Sequence, residues 1–97
     1  MMIRPVYTRL ALRDLGNIHA WSVEHFGADQ ADLYLRQIGA TLERAAGAPG
    51  FLRDASSVRP GLMKVLAGSH VAYVLSEPGS FRVIRILHGR MDPARWV

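Results

Sequence analysis

The chain has 97 residues and a mass of 10.8 kDa, which suits one compact domain over residues 1–97, because two halves would each bury too little surface to fold without cross-links. Hydrophobic residues at 49% and charged residues at 21% exclude a disordered chain, and the absence of cysteine excludes disulfides, thiolate metal sites and cysteine nucleophiles. The net charge of +4 is uneven: five arginines balance five acids up to Gly50, whereas seven cations face three acids from Phe51 onward. All cations but Lys64 are arginines, whose planar guanidinium suits bidentate contact with carboxylate or phosphate. A polyanionic or acidic partner and a plain solubilising surface both fit this balance.

In chain order, Met2 to Tyr7 carries the β-favouring Ile3, Val6 and Tyr7, and Pro5 restricts it to an edge or terminal strand. Thr8 is placed to cap a first helix running to about His25, with Ala11, Leu15, Ile18 and Ser22 at helical spacing. Phe26-Gly27 breaks the chain. A second helix follows from Asp29, its apolar stripe formed by Ala31, Tyr34, Leu35, Ile38, Leu42 and Ala45. The short connection makes the two an antiparallel hairpin. On this register, Leu35→Ala or Ile38→Ala costs roughly 2–5 kcal/mol.

Gly47-Ala48-Pro49-Gly50 stops the second helix, and the Gly, Pro, Ser and Asp content up to Gly61 predicts a surface loop. Three β-type runs follow at Leu62–Leu66, His70–Ser76 and Phe81–His88. Their connections are too short for parallel crossovers, so they form an antiparallel meander. The expected fold class is α+β with the order β-α-α-β-β-β, the helical hairpin packing on one face of a small, mainly antiparallel sheet. Strict alternation puts Phe81, Val83, Arg85 and Leu87 opposite Arg82, Ile84, Ile86 and His88, and Val71, Tyr73 and Leu75 opposite His70, Ala72 and Val74. Both faces are then partly apolar, and the face without helices is closed either by a partner or by the long loop and the C-terminal segment.

Several chemistries find no support. The glycines are too scattered for a phosphate-cradling loop, and no Gly-x-Ser-x-Gly nucleophile turn occurs. His19, His25, His70 and His88 lack metal-ligand spacing, so neither a metal nor a cofactor is expected. No apolar run approaches the roughly 20 residues of a membrane-spanning helix, and the N-terminus does not resemble a secretory leader. A cytoplasmic protein without membrane attachment is expected. The densest polar cluster is Arg82, Arg85, His88, Arg90 and Asp92. Arginines beside a proton-shuttling histidine are also the ingredients of a metal-free ribonuclease, although a basic terminal strand is more often a binding surface. Asp92 before Pro93 reads as a turn residue or a partner for Arg90, and Trp96 either docks on the core or marks a contact.

Almost the whole chain resembles the ParE branch of the ParE/RelE toxins of bacterial type II toxin-antitoxin systems. The resemblance is carried by Ala11-x-x-Asp14-Leu15-x-x-Ile18, by Ala31-x-x-Tyr34-Leu35 with Leu42 and Pro49, by Arg59-Pro60-Gly61, by Gly68-Ser69-His70-Val71 with Tyr73, and above all by Val83-Ile84-Arg85-Ile86-Leu87-His88-Gly89-Arg90-Met91-Asp92. It implies a growth-inhibiting toxin that poisons DNA gyrase and is neutralised, in a hetero-oligomer, by a ParD-like antitoxin with an acidic, flexible C-terminal half. DNA would be engaged only indirectly, and the protein would act by binding and not as an enzyme. The RelE branch, which cuts messenger RNA on the ribosome, is the alternative, but the single lysine and the lack of any tyrosine after Tyr73 depart from it. On this reading Arg59, Arg82, Arg85, His88, Arg90 and Asp92 serve target binding or toxicity. Ala72, Val74, Ile84, Ile86 and Trp96 meet the antitoxin.

Overall fold

The computed structural model describes residues 3–97, in the order β1 (Pro5–Tyr7), α1 (Arg9–Phe26), α2 (Ala28–Gly47), a 3-10 turn (Pro49–Phe51), β2 (Arg53–Asp54), β3 (Met63–Ala67), β4 (His70–Glu77), β5 (Ser80–His88) and α3 (Pro93–Trp96). The α+β class and the helical hairpin over a mainly antiparallel meander are as expected. Three short elements were not anticipated: the 3-10 turn, β2 and α3. Met2, where the first strand was expected to begin, lies outside the described residues.

The sheet order is β1-β5-β4-β3-β2, with β1 parallel to β5 and every other pair antiparallel. Thr8 joins β1 to α1 through both ends of its hydroxyl. Its Oγ1 accepts the Ala11 N–H at 3.1 Å as the helix cap and donates to the Ile84 carbonyl at 2.7 Å, fixing the helix start to the sheet. A single residue, Gly27, separates α1 from α2; its φ of +88° is open to glycine at little cost and lets the chain reverse at once.

The main core lies between hairpin and sheet. Ala11 and Ile18 of α1 and Ile38, Leu42 and Ala45 of α2 pack on Val65, Ala72, Val74, Phe81, Val83 and Ile86. A second cluster closes the opposite face, where Ala55 and Leu62 of the β2–β3 loop cover Tyr73 and Leu87, with Val58, Met91 and Val97 packed around them. Of the two ways of closing this face, the chain therefore uses its own loop and C-terminal segment.

The alternation expected for β5 fails in its middle. Tyr73 pairs with Arg85 and Val74 with Val83, so two residues of β4 span three of β5, a bulge that inverts the side-chain sense. Phe81, Val83 and Ile86 consequently share the main core, while Ile84 and Leu87 belong to the second cluster. Ala72 and Val74, fully buried, and Ile86, 2% exposed, are thus packed beneath the helices. Their assignment to antitoxin contact is corrected: Ala72 and Val74 are core residues, and Ile86 contributes at most to the floor of a groove. Ile84 is half-buried against the covering loop, and Trp96 remains half-exposed.

Candidate functional site: an aromatic groove beside a histidine pair

β1 ends at Tyr7, opposite Val83, and leaves the later part of β5 without a strand on that side. Asp14 fills the gap from α1. One carboxylate oxygen accepts the Ile86 N–H at 2.9 Å and the Arg85 Nε–H at 2.8 Å, and the other accepts from the Arg85 guanidinium at 2.9 Å. The hydrogen bond to Asp14 raises the Arg85 pKa above its ordinary value against an opposing effect of burial. The remaining arm of Arg85 donates to the Trp96 carbonyl at 2.7 Å, tying α3 to the sheet.

This clamp forms one wall of a groove of about 960 Å³. Ile18, Trp21 and Phe26 of α1 line one side, Tyr34 of α2 another, and Ile86, Leu87, His88, Met91 and Trp96 the floor and far rim. Trp21 is 54% exposed, Phe26 64% and Trp96 49%. Large aromatics exposed around a concave apolar surface are unusual for a self-contained domain and typical of a docking site. Trp21 stacks on His25 at 3.9 Å between ring centroids and meets the edge of Phe26 at 5.7 Å, so this aromatic wall stands preformed.

Tyr34 organises the polar end. Its hydroxyl accepts the Ser69 N–H at 3.0 Å and shares a hydrogen bond of 2.6 Å with His70 Nδ1. His88 Nδ1 accepts the Arg90 N–H at 3.2 Å, and the two imidazoles meet edge to face at 5.4 Å. His88 uses Nδ1 as acceptor and so carries its proton on Nε2 in the neutral state. Burial first, and the neighbouring His88 second, push the His70 pKa below the usual imidazole value. Gly68 makes the arrangement possible: its φ is +61°, and a Cβ there would lie 2.7 Å from the Tyr34 ring.

Of the residues picked from the sequence, only Arg85, His88, Ile86 and Trp96 converge on the groove. Arg85 is corrected from a target contact to a clamp, because its guanidinium is spent on Asp14 and the Trp96 carbonyl. Asp92 is exposed outside the groove lining, and its Oδ1 accepts the Ala94 N–H at 3.1 Å and caps α3, a turn role that was one of its two readings. Arg59 on the β2–β3 loop, Arg82 on β5 and Arg90 after β5 are exposed, and none forms an ion pair among the described residues. Trp21 and Phe26 were missed. They lie off the stripe of Ala11, Ile18 and Ser22, and two large aromatics outside a buried stripe were the available signal.

The family model described as the ParE toxin of the type II toxin-antitoxin system parDE matches residues 6–93. Among curated proteins, the chain is 36% identical over 96 residues to Toxin ParE1 of Mycobacterium tuberculosis strain H37Rv, covering 98% of both chains. It is 33% identical over 85 residues to Toxin ParE1 of Caulobacter vibrioides, covering 88% of each. Among solved structures, a chain of the chromosomal ParDE toxin-antitoxin system from P. aeruginosa superposes with a TM-score of 0.77 at 19% identity, over 90% of this chain and 96% of that one, which establishes the shared fold.

Proposed function

The chain belongs to the ParE toxin family of type II toxin-antitoxin systems, and from that premise we propose that it arrests growth by poisoning DNA gyrase and is silenced by a ParD-like antitoxin seated in the aromatic groove. The observation that carries the antitoxin half is the trio of exposed aromatics, Trp21, Phe26 and Trp96, around one concave apolar surface. An amphipathic segment that folds on binding inserts aliphatic or aromatic anchors between them. Its acidic residues find Arg90 and the Nε2–H of His88 at the polar end.

The toxin acts by binding. The one arginine in the groove beside the histidines is neutralised by Asp14, and a phosphate could recruit it only by breaking a buried pair, which argues against the ribonuclease reading. Arg59 and Arg82, together with His88 and Arg90 when the antitoxin is absent, are the exposed groups for the gyrase target. No helix among the described residues is long and apolar enough to cross a membrane.

A gyrase supercoiling assay tests the activity. Purified chain is expected to suppress supercoiling or accumulate cleaved DNA, and equimolar cognate antitoxin restores activity. Unaffected gyrase together with cleavage of ribosome-bound messenger RNA would replace this reading with the RelE-type one.

A further inference from the structure

The fold turns the charge asymmetry of the sequence into an asymmetry in space. Both long helices lie within the first 50 residues, where five cations balance five acids; β2 to β5 and α3 lie within the remainder, where seven cations face three acids. The net +4 therefore comes from the sheet strands β2 to β5, their loops and the C-terminal segment, with Arg85 already paired to Asp14.

On the sheet face turned away from α1 and α2, the cations are placed against local electrostatics. Leu52, Met63 and Val65 point into the main core, so Arg53 and Lys64 point the other way, and these two are direct cross-strand partners. Like charges directly opposite on an antiparallel pair destabilise it. Neither forms an ion pair among the described residues, and the adjacent acid, Asp54, instead accepts a hydrogen bond from the Ser56 hydroxyl at 2.9 Å. Arg82, flanked by the inward Phe81 and Val83, projects from the same face, between the exposed Val6 of β1 and Leu75 of β4. Its strand lies two strands from Lys64, or about 10 Å across the sheet. Arg59 is exposed on the β2–β3 loop, whose Ala55 and Leu62 pack on Tyr73 and Leu87 of the same face. Two acids lie near these cations: Glu77 at the end of β4, which pairs in register with Ser80, and Asp92, whose charge acts on Tyr73, the cross-strand partner of Lys64.

We propose that this face, through Arg53, Arg59, Lys64 and Arg82, binds the phosphate backbone of double-helical DNA directly. Cations spread over a strand-width or more match successive backbone phosphates, and an arginine-rich set suits their geometry. A single strand fits less well, because single-strand sites need aromatic platforms for base stacking. Here the exposed Trp21, Phe26 and Trp96 line the groove, Phe51 lies beneath Arg44, and Tyr73 is buried under the loop. The inference deepens the gyrase reading, on which it rests for its setting, by giving the sheet face the DNA that gyrase holds. It goes beyond the expectation that DNA is engaged only indirectly.

The test is fluorescence anisotropy of a labelled DNA duplex of about 20 base pairs with the purified chain over a NaCl series, without gyrase. Salt-sensitive binding is expected. Arg53→Gln/Lys64→Gln should weaken it roughly tenfold and reduce the log–log salt slope by about 2, as loss of two phosphate contacts requires. Arg9→Gln/Arg13→Gln removes the same charge from the helical layer and should leave the slope unchanged. Equal effects of the two double variants would reduce the interaction to net charge and overturn the proposal, as would binding of poly-glutamate through Arg53 and Lys64 with no binding of the duplex, or tighter binding of duplex RNA than of DNA. Gyrase inhibition without duplex binding sinks this inference and leaves the gyrase reading intact; duplex binding through these residues without any effect on gyrase does the reverse. Thermal unfolding of both variants checks that each is folded.

Discussion

Asp14 stands in for a strand: its carboxylate accepts the Ile86 N–H at 2.9 Å where β1 has ended, and holds Arg85 through two further hydrogen bonds. Asp14 is 8% exposed, so removing it strands both a backbone donor and a guanidinium in a desolvated place. Asp14→Ala should cost about 3–5 kcal/mol in urea unfolding, and Arg85→Leu in the same chain should recover part of the loss by removing the orphaned charge. A loss below about 1 kcal/mol would show that water readily replaces the carboxylate.

The contact of Gly68 with Tyr34 gives a second test. Gly68→Ala must hold a φ of +61° and press a methyl group against the Tyr34 ring, so destabilisation by about 1–3 kcal/mol is expected. Tyr34→Phe keeps the ring but loses the bonds to Ser69 and His70, costing about 0.5–1.5 kcal/mol. Thermal unfolding of both variants measures the two effects.

Stability should also depend on His70 at mildly acidic pH. The groups facing it are Tyr34 on α2, Ser69 in the preceding turn and His88 on β5, with the Asp14–Arg85 pair elsewhere in the same groove. Its folded pKa lies below the usual imidazole value, so the unfolded chain binds more protons in this range and stability rises with pH. The contribution is fully present above about pH 6.5, is lost as pH falls through the interval down to the folded pKa, and then levels off. His70→Gln should flatten that part of the stability profile. An unchanged slope would remove His70 as its source.

The helical register separates two neighbours that looked equivalent in sequence. Ile38 is 1% exposed in the main core, whereas Leu35 is only partly buried against it. Ile38→Ala should cost about 2–5 kcal/mol and Leu35→Ala less, as read by denaturant midpoints. The reverse order would mean that α2 is rotated from its assigned face.

The helices were legible because their buried residues recur with the helical period and because Thr8 and Gly27 punctuate their ends. β5 was not, since the bulge at Ile84 follows from its pairing with β4 and leaves no periodic trace in the residues themselves. The same cause misdirected Ile86, whose side depends on that extra residue. Asp14 offered a usable signal, a carboxylate on the face shared by Ala11 and Ile18, yet its partner is 71 residues away and is brought near only by the fold. Arg85 and Asp92 looked like free functional groups for the complementary reason: sequence displays a charge, but the bonds that consume it come from tertiary contact.

Both tryptophans of the chain, Trp21 and Trp96, line the groove, so its occupation can be read without any label. Titration of the purified chain with the acidic C-terminal half of its cognate antitoxin, followed by tryptophan emission and repeated with Phe26→Ala, tests the docking claim directly. A saturable blue shift as the indoles are dehydrated, with affinity weakened at least about tenfold by Phe26→Ala, is the result this account predicts. Tight binding by calorimetry with unchanged emission and no effect of Phe26→Ala would place the antitoxin elsewhere and contradict it.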